Sequence, residues 1–544
     1  MGLKNRLEGL INLYEDRENI TTIGDLVVKK AAKNGDKPAI MFEDKSVSYR
    51  DLKINANRIA EHLTQIGIRK GDKVAVMMLN GPEIIYTWFA TALIGAIFVP
   101  LNTALKGEIL RYQIDDSDSK IIFLDSHLLQ FFNPIREYLK KIIYVVVFDK
   151  SRKYEVNGTF TSFEEVTKNG ELRDSVEVLP EDIASILYTS GTTGPPKGVV
   201  LAHRAYVESA LRVSRSAHLR ETDIFYNTLP LFHTSGQTVS TLPTLFNDLK
   251  IIHEEWFHAS VFWQNIKRCE ATITFLLSSM ITILLKRDVV PEGKTHKLRV
   301  AFTGGMPKNQ MKEFENRFNL KTLECYAMTE TCGGVVLSNP IGAVKIGSIG
   351  IPVEGFEAKV VNEYDQDLQS NKIGELLIRP TKPFSMLLEY YKKYDKTVES
   401  FRNFWFHTGD YVYQDDEGYF YFVERKKDII RRRGENIAPF SIEMVVNTHP
   451  KVRESVAVGV PSEMGEEEVK LCVTLLPDSK LDPVDFLKWC DENLPYYMVP
   501  RYIEILEEIP KTANQKAQRY LLKQRGVSNA FDRETIGFKP KRPT

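Results

Sequence analysis

The sequence predicts an α/β protein: a large N-terminal part of helix-flanked, mainly parallel sheets, followed by a small α+β unit. Three observations carry this reading. The chain has 544 residues, more than one hydrophobic core holds. Through most of it, helical stretches alternate with short β-branched runs, and strands separated by helices make parallel sheets covered on their faces. Beyond Pro439 the pattern becomes a compact mixture of strands and helices of about a hundred residues, an ordinary domain size.

In chain order, residues 51–67 carry apolar side chains at helical spacing, and residues 73–79 read as a strand. Apolar runs at 121–124, 142–148 and 183–188 have strand length. Two uncharged runs, 84–99 and 271–285, are shorter than the ~20 residues of a spanning helix and are predicted to be core segments. Residues 418–424 read as a strand, and a domain boundary is predicted at Lys426-Lys427, giving units 1–426 and 427–544. After the basic run Arg431, Arg432, Arg433 come a helix from Pro439, strands at 456–460 and 470–475, and a helix at Pro483–Asn493. The stretch from Gly526 is polar and basic, with Pro540 and Pro543, and is expected to be a loosely held tail.

Bulk composition narrows the function classes. Composition is that of a globular protein, 43% hydrophobic and 26% charged. Seventy-two basic residues balance 72 acidic ones, so no global field draws the chain to nucleic acid or an anionic membrane. The five cysteines, Cys269, Cys325, Cys332, Cys472 and Cys490, form no Cys-x-x-Cys pair and are predicted to be reduced thiols. Residues 1–6 lack an apolar run, so no secretory signal is expected. Gly2 suggests myristoylation, but Arg6 stands where that motif needs Ser or Thr. A cytoplasmic protein without a transmembrane segment is predicted.

The segment Tyr188-Thr-Ser-Gly-Thr-Thr-Gly-Pro-Pro-Lys-Gly198 directly follows a predicted strand. Glycines let the backbone curl so that successive N–H groups face one anion; hydroxyls add donors and Lys197 adds a cation. It suits a polyphosphate, without the Gly-Lys-Ser/Thr of a Walker loop. A plain Gly/Thr-rich turn explains four such residues, not ten in this order. The segment resembles the phosphate loop of the adenylate-forming superfamily: acyl-CoA synthetases, peptide-synthetase adenylation domains and firefly luciferase. Within it, the wording resembles crotonobetaine/carnitine-CoA ligases and other medium- to long-chain acyl-CoA ligases. The resemblance runs from about Ala39 to Arg519.

It implies a large domain binding ATP and acyl substrate, with a small β-barrel-like part, and a small mobile C-terminal domain carrying a catalytic lysine. Thr189, Ser190, Gly191, Thr192, Thr193, Gly194 and Lys197 would hold phosphates. Gly304, Gly305 and Met306 match the turn packing against adenine, with Met306 where relatives have Ala or Glu. In Cys325-Tyr-Ala-Met-Thr-Glu330, Tyr326 would stack on adenine, Thr329 would contact phosphate and Glu330 would hold Mg²⁺, a hard cation suited to oxygen ligands. Asp410 would accept from both ribose hydroxyls, and Arg425 would contact ribose or phosphate. Phe232, His233, Gly236 and Met328 match the acyl channel. A lone His is otherwise more often structural. Phe302 and Val335 are further apolar candidates for the pocket.

Lys516 matches the catalytic lysine, with Lys511 its understudy; Gln515 stands where relatives have Gly. A residue forced to positive φ there costs roughly 1–2 kcal/mol. Lys427 matches the hinge, and Gly434, Glu435 and Asn436 would line a pantetheine tunnel. Arg431, Arg432 and Arg433 either attract coenzyme A phosphates or form a solvated basic face. The expected reaction joins a small-molecule carboxylate to ATP as acyl-AMP, releasing pyrophosphate, then forms an acyl-CoA thioester. Rotation about Lys427 would exchange the two active arrangements. The alternative acceptor is a carrier protein or an amine; a non-catalytic nucleotide-binding relative is a third reading. No nucleic acid partner is expected, and the oligomeric state, homodimer included, is left open.

Overall fold

A computed structural model describes residues 20–151, 160–168, 170, 176–189, 195–306, 308–425, 429–463, 465–511 and 517–542, excepting the side chains of Asn309, Glu424 and Arg425. The sequence-based assignments to Ser190, Gly191, Thr192, Thr193, Gly194, Lys427 and Lys516 lie outside these residues, as does the Arg425 side chain.

Two large, parallel-rich sheets dominate. In the first, the strands Ile183–Thr189, Ile97–Pro100, Lys73–Met77, Ser119–Asp125, Tyr144–Phe148 and Thr161–Ser162 lie side by side and parallel. Lys197–Ala202 then folds back antiparallel on Ile183–Thr189, and Glu389–Tyr390 adds to its outer edge. The second sheet centres on Lys250–His253, Ile224–Asn227, Ile273–Leu277, Val300–Gly304 and Lys321–Tyr326, all parallel. Their strands are near-continuous apolar runs because both faces are covered. The helix Pro82–Ile94 is buried almost all round, as its uncharged sequence requires. It begins with Pro at its first position and ends at Gly95, φ +67, which starts the turn into Ile97–Pro100.

Both uncharged runs therefore resolve into core: helix then strand in the first, strand Ile273–Leu277 then helix Ser278–Leu285 in the second. No helix among the described residues is long and apolar enough to cross a membrane. The barrel-like part is a five-stranded antiparallel sheet, in which Trp405–Gln414 lies between Gly374–Pro380 and Phe420–Arg425. All five cysteines are unpaired.

The C-terminal unit holds a hairpin, Ile430–Arg432 with Glu435–Ile437, and a four-stranded sheet built on the long pair Val452–Pro461 and Glu467–Leu475. The tail departs from expectation. Phe531–Asp532 pairs with Tyr502–Ile505, and Arg533 is buried, donating to the carbonyls of Val499 at 2.9 Å and Pro500 at 3.2 Å. Composition made this stretch look solvated; a few specific hydrogen bonds hold it down instead.

Candidate active site

A cavity of about 1560 Å³ lies between the second large sheet, the five-stranded sheet and the C-terminal hairpin. One end of it begins where Val300–Gly304 stops. Gly305 there has φ +72, a conformation glycine adopts without strain. On the adjacent strand, Glu324 is fully buried; its carboxylate accepts from the Thr303 hydroxyl at 2.5 Å and from the N–H groups of Gly305 at 2.6 Å and Met306 at 3.1 Å. Burial pushes the Glu324 carboxyl up, against the pull of these donors and of Arg431. Two residues on, the Tyr326 hydroxyl donates to Asp410 Oδ2 at 2.6 Å. Asp410 is held from the other side by the turn at Gly409, φ +73, whose N–H reaches Glu375 at 3.1 Å.

A second part of the cavity is framed by the paired residues Thr189 and Lys197. Lys197 Nζ lies 3.8 Å from the centroid of the Tyr390 ring, and the Tyr390 hydroxyl donates to Glu330 Oε1 at 2.7 Å. Burial and the Glu330 charge push the Tyr390 hydroxyl far up, so it stays a donor. Thr329 and Glu330 sit on one short turn directly after the strand bearing Tyr326.

Phe232 and His233 line the third wall with Met328, Met280 and Trp256. Gly236 does not line the cavity; a Cβ there would lie 2.4 Å from the Pro230 carbonyl oxygen, so its need is close packing. Met306 packs into the neighbouring core, and Phe302 and Val335 are fully buried away from the cavity.

The hairpin closes the cavity. Arg433, φ +52, and Gly434, φ +83, form its two-residue turn. Glu435 Oε1 lies 3.4 Å from His233 Nε2 and 3.5 Å from Asn102 Nδ2. The three arginines divide. Arg432 is buried against Glu468 at 2.6 Å, Arg431 donates to the Gly304 carbonyl at 3.3 Å, and Arg433 is exposed at the tip. Lys511 pairs with Glu454 at 2.8 Å and Ala517 packs beside Val456 and Ile509; neither lines the cavity.

Thr189, Lys197, Gly304, Gly305, Tyr326, Met328, Thr329, Glu330, Asp410, Phe232, His233, Gly434, Glu435 and Asn436 thus surround one cavity. Sequence reasoning missed Glu324, Glu375, Tyr390 and Asn102. Glu324 directly precedes a recognised motif, and a charged residue on a buried strand was its available signal; Tyr390 carried none.

A family profile described as AMP-binding enzyme matches residues 27–391, and one described as AMP-binding enzyme C-terminal domain matches 441–516. A crotonobetaine/carnitine–CoA ligase of Salmonella typhimurium is 30% identical over 498 residues, 90% of this chain and 96% of the relative. Among solved structures, a double mutant of o-succinylbenzoate CoA synthetase from Bacillus subtilis, bound with its product analogue OSB-NCoA, superposes with a TM-score of 0.80. Identity is 26%, covering 92% of this chain and 98% of that one. The same synthetase in complex with AMP gives 0.65 at the same identity and coverage.

Proposed function

This chain belongs to the AMP-binding enzyme family, and from that premise we propose how its cavity makes an acyl-adenylate and hands the acyl group to coenzyme A. It is an AMP-forming acyl-CoA synthetase that uses ATP. In the first step an oxygen of the substrate carboxylate attacks the α-phosphorus of ATP and pyrophosphate leaves. Negative charge spreads over the phosphoryl oxygens, so fixed cations and donors do most of the catalytic work. Adenine lies against Tyr326 and the Gly304–Gly305 turn. Asp410, oriented by the Tyr326 hydroxyl, accepts from the ribose hydroxyls. Lys197 with Thr189, Ser190, Gly191, Thr192, Thr193 and Gly194 holds the outgoing phosphates, Arg425 contacts ribose or phosphate, and Lys516 bridges the carboxylate and the α-phosphate.

The donors present fit Mg²⁺. Glu330 is a buried carboxylate held in one orientation by Tyr390, next to the Thr329 hydroxyl, and both offer hard oxygens. Among the described residues no group of three His, Cys, Asp or Glu side chains is placed to hold a metal; Glu330 and Thr329 would hold the ion, with phosphate oxygens of ATP as further hard ligands. When bound, the ion neutralises phosphate charge.

The observation that carries the two-step reading is the hairpin on the acyl wall, with Glu435 at 3.4 Å from His233. Lys511 and Ala517, which bracket Lys516, lie off the cavity. We assign this arrangement to thioester formation: the Gly434–Asn436 side of the hairpin lines the path of the pantetheine thiol, which attacks the acyl carbonyl and expels AMP. The higher likeness to the synthetase holding a coenzyme A product analogue than to the same enzyme holding AMP supports it. Adenylation then belongs to a second arrangement, reached by rotation at Lys427, in which Lys516 enters. The apolar wall of Phe232, Met328, Met280 and Trp256 suits an alkyl or aryl acid.

The test is pyrophosphate release across a panel of carboxylic acids, with and without coenzyme A, with thioester product measured alongside. Acid-dependent release plus acyl-CoA is the expected result. Acid-dependent release yielding acyl groups only on a carrier protein or an amine would overturn the acceptor assignment.

A further inference from the structure

The geometry points to the C-terminal tail as part of the coenzyme A site: Arg542, laid against Tyr496, and Arg433, at the hairpin tip, form a cationic clamp for the phosphates of the coenzyme A nucleotide. This rests on the acyl-CoA synthetase reading above; of the three arginines named from the sequence it keeps Arg433 alone, and it adds Arg542, which no motif contained.

Both arginines line the same cavity, together with Tyr496 and Tyr497 on its C-terminal side. They arrive from opposite directions in sequence. Arg433 is carried by the hairpin that closes over His233; Arg542 is carried by the tail. The tail is fixed close to that point, since the Lys541 N–H donates to Asp491 Oδ1 at 3.0 Å and Phe538 packs on the C-terminal core. The Asp491 carbonyl in turn accepts from Lys106 Nζ of the large domain, so the anchor spans both parts of the protein.

Of the four arginines at this end, two have their charge spent elsewhere or their fork engaged. Arg432 is committed to Glu468 and Arg431 to the Gly304 carbonyl. Arg433 and Arg542, both exposed, have no ion-pair partner among the described residues. Arg542 instead stands 5.3 Å from the centroid of the Tyr496 ring, a cation–π contact that orients the guanidinium and leaves its N–H fork available. Arg433 occupies the first turn position at φ +52, where Asn or Gly is favoured and an arginine gains nothing locally. A pair of planar, permanently charged forks at a cavity mouth is suited to phosphate. Coenzyme A carries its phosphates on the nucleotide beyond the pantetheine arm. Free pantetheine lacks them, and a carrier protein's prosthetic arm lacks the nucleotide. The clamp therefore selects free coenzyme A.

The test compares full-length wild type with Arg542→Ala and Arg433→Ala, using coenzyme A and pantetheine as alternative acceptors. Each substitution is expected to lower the kcat/KM preference for coenzyme A over pantetheine about tenfold, through KM for coenzyme A, because a charge-assisted phosphate contact is lost. Arg542→Lys should regain part of it, and raising salt should weaken the wild-type preference more than that of the variants. An unchanged preference in an active synthetase, or an equal loss with both acceptors, overturns the clamp alone. A wild-type enzyme that forms adenylate but no coenzyme A thioester overturns the acceptor assignment and the clamp together.

Discussion

Glu324 illustrates how one side chain shapes a site from behind. Its carboxylate gathers the Thr303 hydroxyl and two consecutive turn N–H groups, fixing the glycine turn on which adenine is proposed to lie. Glu324→Ala would leave two buried donors, the Thr303 hydroxyl and the Met306 N–H, without an acceptor, at about 1–3 kcal/mol each, and would free the exposed Gly305 N–H as well. The expected outcome is a loss of at least ~2 kcal/mol in denaturant unfolding together with a raised KM for ATP; Glu324→Gln, which keeps one acceptor oxygen, should lose less. Unaltered stability and KM in the alanine variant would show that the turn holds its shape unaided. The same scale explains what the sequence concealed. Tyr326, Glu330 and Asp410 were readable because each sits in a compact motif, and they converge although Tyr326 and Asp410 are 84 residues apart. Tyr390 reaches Glu330 from 60 residues away on a two-residue edge strand, and no local spacing announces that contact.

Among the elements, the hairpin of the C-terminal unit is the one proposed to guide the thiol. Gly434 has φ +83, and a Cβ there would lie 2.4 Å from Leu277 Cδ1 at the end of a cavity-lining strand. Gly434→Ala therefore strains the turn and forces Leu277 or the hairpin to shift where the two meet at the cavity. Transfer from pre-made acyl-adenylate to coenzyme A should fall tenfold or more, while acid-dependent pyrophosphate release is kept. Equal losses in the two half-reactions would point to a general folding defect instead. Element types were legible wherever apolar runs were long: the 84–99 and 271–285 segments lie where core helices and strands were expected, since burial on all sides leaves the same signature in composition. The tail was not legible. Its docking depends on Arg533 finding the Val499 and Pro500 carbonyls, a tertiary match that polarity and proline content do not encode.

Over the whole molecule, two buried histidines set an acid limit. His203 and His253 are almost completely buried, and burial pushes them down to about 4 and about 3 from a usual 6.5. Unfolded, both take protons below about pH 6.5; folded, neither does until far lower pH, so stability falls as pH drops through that window. At ~1.4 kcal/mol per pH unit for each, the two together cost about 4 kcal/mol near pH 5. Asp125, a buried carboxyl pushed up to about 7, works in the opposite sense over the same window, so the histidine contribution is read as a difference: between about pH 7 and 5, His253→Gln should lose about 2 kcal/mol less stability than the wild type, and equal losses would contradict it. The last prediction concerns motion of the C-terminal unit as a body. The hairpin lines the cavity beside His233 here, and a lysine proposed to act on the α-phosphate is proposed to enter in a second arrangement. One short connection must absorb the change, and Lys427 lies in it, between the strand Phe420–Arg425 and the hairpin strand Ile430–Arg432. Proline at 427 restricts φ to about −65° and biases the preceding residue toward extended backbone, so a folded Lys427→Pro enzyme should favour one arrangement. If it favours the arrangement seen here, thioester formation from pre-made adenylate should survive while adenylate synthesis falls steeply. If it favours the other, the losses reverse. In both cases the two half-reactions separate, because each is proposed to use a different face of the same domain. Wild-type rates in both, from a proline variant with native circular dichroism and melting, would show that the rotation does not pass through residue 427.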